Sequence, residues 1–210
     1  MQNVLIAVPT MASIHALLTQ RLLFWSKRPG VHFYFTYLIS PVDHARNQIA
    51  EFFLNSRSKE GIPFTHLLFI DSDTIPPFDA LERLLSHDKD VVSGMTPILS
   101  YKKDGSGYET YDNCFVALKR DDNGKVTETH IAERNTGLQK IFRCGGSCLL
   151  IKRHVLKEIP VPHFKFISNE AGTKQSVSED IYFCDLLNEH GFELYADTDV
   201  CCEHYKHIML

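Results

Sequence analysis

The spacing of apolar residues changes period along the chain, and the first half alternates between two patterns. Residues 3–8, apolar without interruption from Val4 to Val8, predict a strand, and Ile14, Leu17, Leu18, Arg21, Leu22 and Trp25 follow at helical spacing. Pro29 and Gly30 break that unit. Residues 31–39 read as a β-rich strand, and residues 43–58 place Ala45, Ile49, Phe52 and Phe53 on one helical face. Residues 65–70 lack alternation, as expected of a strand buried on both faces of a parallel sheet. A short amphipathic helix over 78–87 and a strand over 90–94 complete a repeated βαβ lobe that ends near residue 95.

The pattern changes after Pro97. Residues 102–111 are polar and rich in Gly, while 114–119 and 126–131 flank an Asp122-Asn123-Gly124 turn and predict a hairpin. Gly145-Gly146 leads into a strand over 148–152, a helix spans 179–190 up to Gly191, and a last strand over 192–196 precedes an acidic tail over 197–204. The expectation is an α/β chain with a Rossmann-like, mostly parallel mixed sheet flanked by helices. It forms one compact domain (1–210) of two lobes, about 1–95 and about 96–210.

Composition narrows the class. With 210 residues, 44% hydrophobic, the chain can bury a continuous core. A net charge of −4 lacks the excess of a dedicated nucleic-acid binder. No charged leader precedes the first apolar run, and no stretch reaches the roughly 20 apolar residues that cross a bilayer. The expected location is cytoplasmic, without a transmembrane anchor, and six cysteines in mostly apolar segments fit reduced thiols there. Their spacing matches no zinc knuckle or ribbon.

Sheets of this kind bind ligands beyond the carboxyl ends of their strands, where Asp71, Ser72 and Asp73 lie. Two carboxylates at i and i+2 of a strand share a side and can meet one hard cation, Mn²⁺ or Mg²⁺, that neutralises a diphosphate leaving group. A solvated strand end or a helix cap would need the same residues. Ser178-Glu179-Asp180 opens a helix, for which capping preference alone accounts.

The segment LLFIDSDTIPP (67–77) closely resembles the aspartate motif of glycosyltransferases with the Rossmann-like A-type fold, particularly family 2, and PVDHARNQIA (41–50) resembles the helix before it. The resemblance rests on the order of motifs over about residues 3–205. It implies a metal-dependent, hexosyltransferase-like enzyme moving a sugar from a nucleotide-diphosphate sugar, by default a UDP-sugar, to an acceptor hydroxyl with inversion. Arg46, Asn47, Asp71, Ser72 and Asp73 would then hold the donor, with Pro9 and Thr10 near base and ribose. Asp180 would be the general base, with Glu179 supporting it or binding the acceptor, and His204 a metal ligand beside Asp71 and Asp73. Gly145 and Gly146 resemble the turn that faces donor and acceptor, although a tight turn needs glycine as well. The 102–108 loop is a candidate to close on the diphosphate. The acceptor stays open between a saccharide, a small metabolite, a protein side chain and a hydroxylated DNA base, the last served by a rim of Lys102, Lys103, Arg120, Lys152 and Arg153. Three alternatives share parts of the pattern. A non-catalytic nucleotide-sugar-binding relative would bind without turnover. A haloacid-dehalogenase-type phosphatase would not carry Ile75 and two prolines after the motif, and a nucleotidyltransferase needs a Gly-rich basic loop that residues 9–15 lack.

Overall fold

The computed structural model describes residues 2–102, 104–124 and 126–205. In chain order the elements are β1 (Val4–Val8), α1 (Ala16–Trp25), β2 (Val31–Phe35), α2 (Val42–Asn55), β3 (His66–Ile70), β4 (Thr74–Ile75), α3 (Ala80–Ser86) and β5 (Val91–Met95). Then come β6 (Pro97–Tyr101), β7 (Tyr108–Asp112), β8 (Cys114–Arg120), β9 (Val126–Ile131), β10 (Leu138–Ile141), β11 (Arg143–Cys144), β12 (Cys148–Lys152) and α4 (Arg153–Glu158). The last are β13 (Ile167–Ser168), β14 (Gln175–Val177), α5 (Glu179–Glu189), β15 (Leu194–Cys201) and β16 (Glu203–His204).

Among the described residues, seven strands form the central sheet in the order β10-β15-β5-β12-β3-β1-β2. β1 runs parallel to β2 and β3, and β5 parallel to β15. β12 lies antiparallel between β3 and β5, and β10 antiparallel along β15. Five strands thus share one direction, as the mostly parallel mixed sheet required. Because β12 sits between β3 and β5, the segments before and after residue 95 build one sheet.

The unalternating strands are apolar on both faces because both are covered. Leu5, Ala7, Leu67, Phe69, Leu149 and Ile151 pack with Ile49 and Phe53 of α2, Val155 of α4 and Phe183 and Leu187 of α5. Val4, Ile6, Val8, Leu68, Ile70 and Leu150 pack on the other side with Leu18, Leu22 and Trp25 of α1 and Leu81 and Leu84 of α3. No helix of the described residues is long and apolar enough to cross a membrane. All six cysteines are free, and five are buried.

Four departures from the sequence reading have physical causes. The last strand runs on to Cys201, through what looked like an acidic tail, because fully buried Asp197 is bound by Arg83 Nε and Nη2 at 3.0 and 2.9 Å and by His87 Nε2 at 2.8 Å. The second strand stops at Phe35, and Leu38 beyond it takes φ +54°, a left-handed conformation that no strand contains. The polar segment after Pro97 is a hairpin, β6 with β7, and residues 102 and 104–107 belong to its tip. The helix α4 was not foreseen; its first residue, Arg153, donates to the carbonyls of Phe53, Leu54 and Phe64, satisfying the end of α2.

Candidate active site

The Asp71-Ser72-Asp73 triplet follows β3 directly, but it is a turn and not a strand end, since the Thr74 amide donates to the Asp71 carbonyl at 3.0 Å. Side-chain alternation therefore does not hold there, and the two carboxylates part company instead of sharing a side. Asp71 faces Arg46 (2.8 Å), whereas Asp73 Oδ2 lies 3.3 Å from His204 Nε2. Three separate segments fix the turn's backbone. The Asp71 amide donates to the Ser147 carbonyl at 3.0 Å, the Ser72 carbonyl accepts from His15 at 2.9 Å, and the Asp73 carbonyl accepts from Tyr205 at 2.9 Å. His15 and Tyr205 also stack, with ring centroids 4.0 Å apart.

His204 is oriented from behind. Its Nδ1 donates to the Pro97 carbonyl at 2.7 Å, which orients the ring so that Nε2 faces Asp73. A carboxylate oxygen and an imidazole lone pair at this separation suit a proton or a divalent cation between them, and a backbone carbonyl behind the ring is the usual support of a metal-binding histidine. The residues thus fit a hard or borderline cation with two ligands from this pair. Among the described residues no group of three or more His, Cys, Asp or Glu is gathered for a metal, because Asp71, named above as the third, is held by Arg46.

Arg46 is the hub of the site. It is 2% exposed, and its guanidinium donates from Nη2 to Asp71, from Nη1 to the Gly146 carbonyl at 3.0 Å and from Nε to Glu179 at 3.3 Å. The rings of Phe69 and Phe164 lie 5.3 and 5.9 Å from its Cζ. Burial by itself disfavours its charge, but Asp71, Glu179 and Asp180 outweigh burial and hold its pKa above the ordinary value. Glu179 is the weaker partner. Burial raises its pKa and Asp180 adds to this, while Arg46, shared with Asp71, offsets only part.

The glycines serve this hub. A Cβ on Gly146 would stand 2.8 Å from Arg46 Cζ, and one on Gly145 would stand 2.6 Å from Asn113 Nδ2. Arg46 and Asn113 occupy the space that a side chain at either glycine would need. Asn113 escaped the sequence reading. It is buried, accepts from the Thr96 amide at 2.9 Å through Oδ1 and donates to Ser147 Oγ at 3.3 Å, so it braces the turn that carries Asp71's partner. An amide residue between the polar segment over 102–111 and the apolar run that starts at Cys114 was its only trace in the sequence.

On α5, Asp180 Oδ1 accepts from the Ser178 hydroxyl and, at 2.8 Å, from the Ile181 amide, contacts that fix its rotamer. Ser178 therefore binds Asp180 at the helix start and caps no backbone group with its own side chain. Glu179 points into the protein, onto Arg46.

A cleft of about 410 Å³ opens at the carboxyl ends of β1 and β2, lined by Pro9, Thr10, Ser13, Ile39, Ser40 and Ser72 among others. It brings Pro9 and Thr10 together with Ser72. Asn47 is elsewhere: its Nδ2 donates to the Phe164 carbonyl at 2.7 Å and its Oδ1 accepts from the Phe164 amide at 3.1 Å, and it lines a different hollow with Val161 and His163. Its amide is committed to the loop before α5, so that its part is to tether that loop. The basic rim is not assembled. Lys152 pairs with His66 at the amino end of β3, opposite the Asp71 end, and is bound to Asp88 and Asp90. Arg153, next to it, caps α2, and Lys103 lies outside the described residues.

No protein-family model matches the sequence, and no curated protein matches it. Solved structures do. A197 from STIV aligns over 99% of this chain and 87% of its own, with a TM-score of 0.60 and 23% identity. GalNAc-T7, solved with UDP, GalNAc and Mn²⁺, aligns over 98% of this chain but 43% of its own, with a TM-score of 0.54 and 11% identity. Likeness at these identities is one of fold, and the fold is that of A-type glycosyltransferases; it does not single out family 2.

Proposed function

We propose that the protein is a metal-dependent glycosyltransferase of the family 2 type, which moves a sugar from a nucleotide-diphosphate sugar to an acceptor hydroxyl with inversion. The observation that carries this reading is the convergence on buried Arg46 of the triplet after β3, the glycine turn before β12 and the acidic start of α5, beside a cleft at the carboxyl ends of the strands. Residues 1–95 supply the donor side, and residues 96–210 supply most of the acceptor side.

The nucleoside lies in the cleft, against Pro9, Thr10 and Ser72. Asp73 and His204 hold Mn²⁺ or Mg²⁺, which when bound neutralises the diphosphate as it leaves. Asp71, with Arg46 behind it, anchors the turn on which Asp73 stands and faces the donor. Asp180, its Oδ1 fixed by Ser178 and the Ile181 amide, presents Oδ2 to the acceptor hydroxyl. The hydroxyl oxygen bonds to the anomeric carbon, the bond to the β-phosphate oxygen breaks, and the proton passes to Asp180. Glu179 keeps Arg46, and through it Asp71, in register with the base.

The test is thermal unfolding against nucleoside diphosphates and their sugars, with and without Mn²⁺. A ligand at a hundred times its Kd adds about 2.7 kcal/mol, or roughly 5–10 °C for a chain of this size. A metal-dependent shift with one nucleotide class is expected, with UDP as the first candidate. No shift with any of them refutes the proposal, and a shift without transfer to any acceptor favours a non-catalytic nucleotide-sugar binder.

A further inference from the structure

We infer that the β6–β7 hairpin is an acceptor arm that binds a neutral saccharide, with the rings of Tyr101 and Tyr108 as its stacking platform. The inference rests on the transferase reading for the identity of the acceptor side, and on the hairpin itself for the chemistry. The root of the arm is part of the site. The carbonyl of Pro97, the first residue of β6, accepts a hydrogen bond from His204 Nδ1, and β6 leaves the sheet from the carboxyl end of β5.

The register sets Pro97 opposite Asp112, Leu99 opposite Thr110 and Tyr101 opposite Tyr108, so these six residues line one face of the ribbon. Four residue steps separate the root from the tyrosines, roughly 13 Å at strand rise. The platform therefore stands well out from the Pro97–His204 contact, at a distance that suits further rings of an acceptor better than the reacting one.

The two rings are fixed without being covered. Their centroids are 5.3 Å apart at 76°, and the Tyr101 hydroxyl donates to the Gly105 carbonyl at 3.0 Å. Each residue is nevertheless 59% exposed. An immobilised exposed aromatic pair loses little conformational freedom on binding, and its ring faces and hydroxyls match a ligand with apolar C–H faces and many hydroxyls. Charge sets the class. Among its described residues the arm sets Lys102 against Asp104 and Glu109, and Asp112 is paired with Arg134 at 2.6 Å, so none of these favours a polyanion.

The experiment is an array of neutral oligosaccharides (gluco-, manno-, galacto- and N-acetylglucosamine oligomers) beside sulfated oligosaccharides and unrelated peptides. It is probed with the wild type, with Tyr101→Ala/Tyr108→Ala and with Tyr101→Phe/Tyr108→Phe. Calorimetry with UDP and Mn²⁺ is run on the same preparations. We expect retention of neutral glycans by the wild type, a loss of tenfold or more in the alanine variant, recovery in the phenylalanine variant and one UDP affinity throughout. Equal retention by the alanine variant overturns the arm, as does wild type that retains only sulfated glycans, only peptides or nothing while it still binds UDP. Absence of UDP binding in all three proteins overturns the transferase reading, and the array then still decides whether the rings hold sugar.

Discussion

Replacing Arg46 by methionine keeps most of the side-chain volume and removes a cation that three groups share at 2.8, 3.0 and 3.3 Å. The Glu179 side chain is 9% exposed, so its carboxylate stays buried with no partner of opposite charge. At 3.3 Å and an effective dielectric constant of about 20 the lost attraction is about 5 kcal/mol. The desolvation that Arg46 itself no longer suffers offsets part of that, which leaves a net loss of roughly 3–5 kcal/mol. The loss depends on pH. Burial already raises the Glu179 pKa, and without Arg46 it rises further. A carboxyl whose folded pKa exceeds the unfolded one, about 4.3, gives its full stabilisation below that value and loses it as pH climbs through the folded pKa. The deficit of Arg46→Met should therefore be smallest near pH 4 and largest at pH 7.5. Glu179→Gln on the same background should restore part of the stability at pH 7.5 and flatten the profile. Urea unfolding of the four proteins of this cycle at pH 4.5, 6 and 7.5 measures it. A deficit under about 1 kcal/mol at pH 7.5, or one that Glu179→Gln leaves untouched, would refute the hub.

Asp73→Asn and His204→Ala should each abolish the Mn²⁺-dependent part of nucleotide binding by calorimetry while leaving the fold intact by circular dichroism; unchanged affinity in either removes that residue from the metal role. Asp180→Asn should bind the donor as the wild type does and lose transfer by at least a hundredfold, the lower range of general-base catalysis, and an active variant takes the base role from it. Gly146→Ala puts a methyl 2.8 Å from a guanidinium with no room to retreat and should cost about 1–3 kcal/mol in chemical unfolding; a neutral effect would show that Arg46 is mobile. Burial, with Lys152 nearby, pulls the His66 pKa down to about 4, so its contribution is complete above about pH 6.5 and is lost as pH falls toward 4. His66→Gln should remove up to about 3 kcal/mol of that acid sensitivity, and an unchanged pH profile would assign it to other groups.

What could be read from the sequence was whatever depends on local period. Residues 148–152 come out as a strand with its bounds intact, and residues 66–70 and 179–189 within one residue of their predicted ends, because each is either buried on both faces or opened by a strong helix-start signal. The same logic failed where a side chain from elsewhere decides the outcome. Asp197 looked too acidic for a strand until Arg83 and His87, more than a hundred residues earlier, were seen to neutralise it. Asp71 and Asp73 looked like a single pincer because alternation assumes extended backbone, and a turn directs them to different partners.

The glycine turn shows what such local reading cannot reach. Gly145-Gly146 has one sequence signature for two causes, approach of a ligand and approach of the protein itself. Only the positions of Arg46 and Asn113 separate them, since a methyl at either glycine would occupy the space of one of those side chains. Glycine at 146 lets the Arg46 guanidinium pass close enough to bond its carbonyl while reaching Asp71 on one side and Glu179 on the other. Asp71 follows β3, whereas Glu179 and Asp180 open α5, so a displacement of Arg46 shifts both together. Donor and base are thus held in one frame by a side chain that, in the proposed reaction, touches neither the sugar nor the acceptor. Variants at Arg46 or Gly146 should accordingly lower kcat together with nucleotide affinity, whereas Asp180→Asn lowers kcat alone.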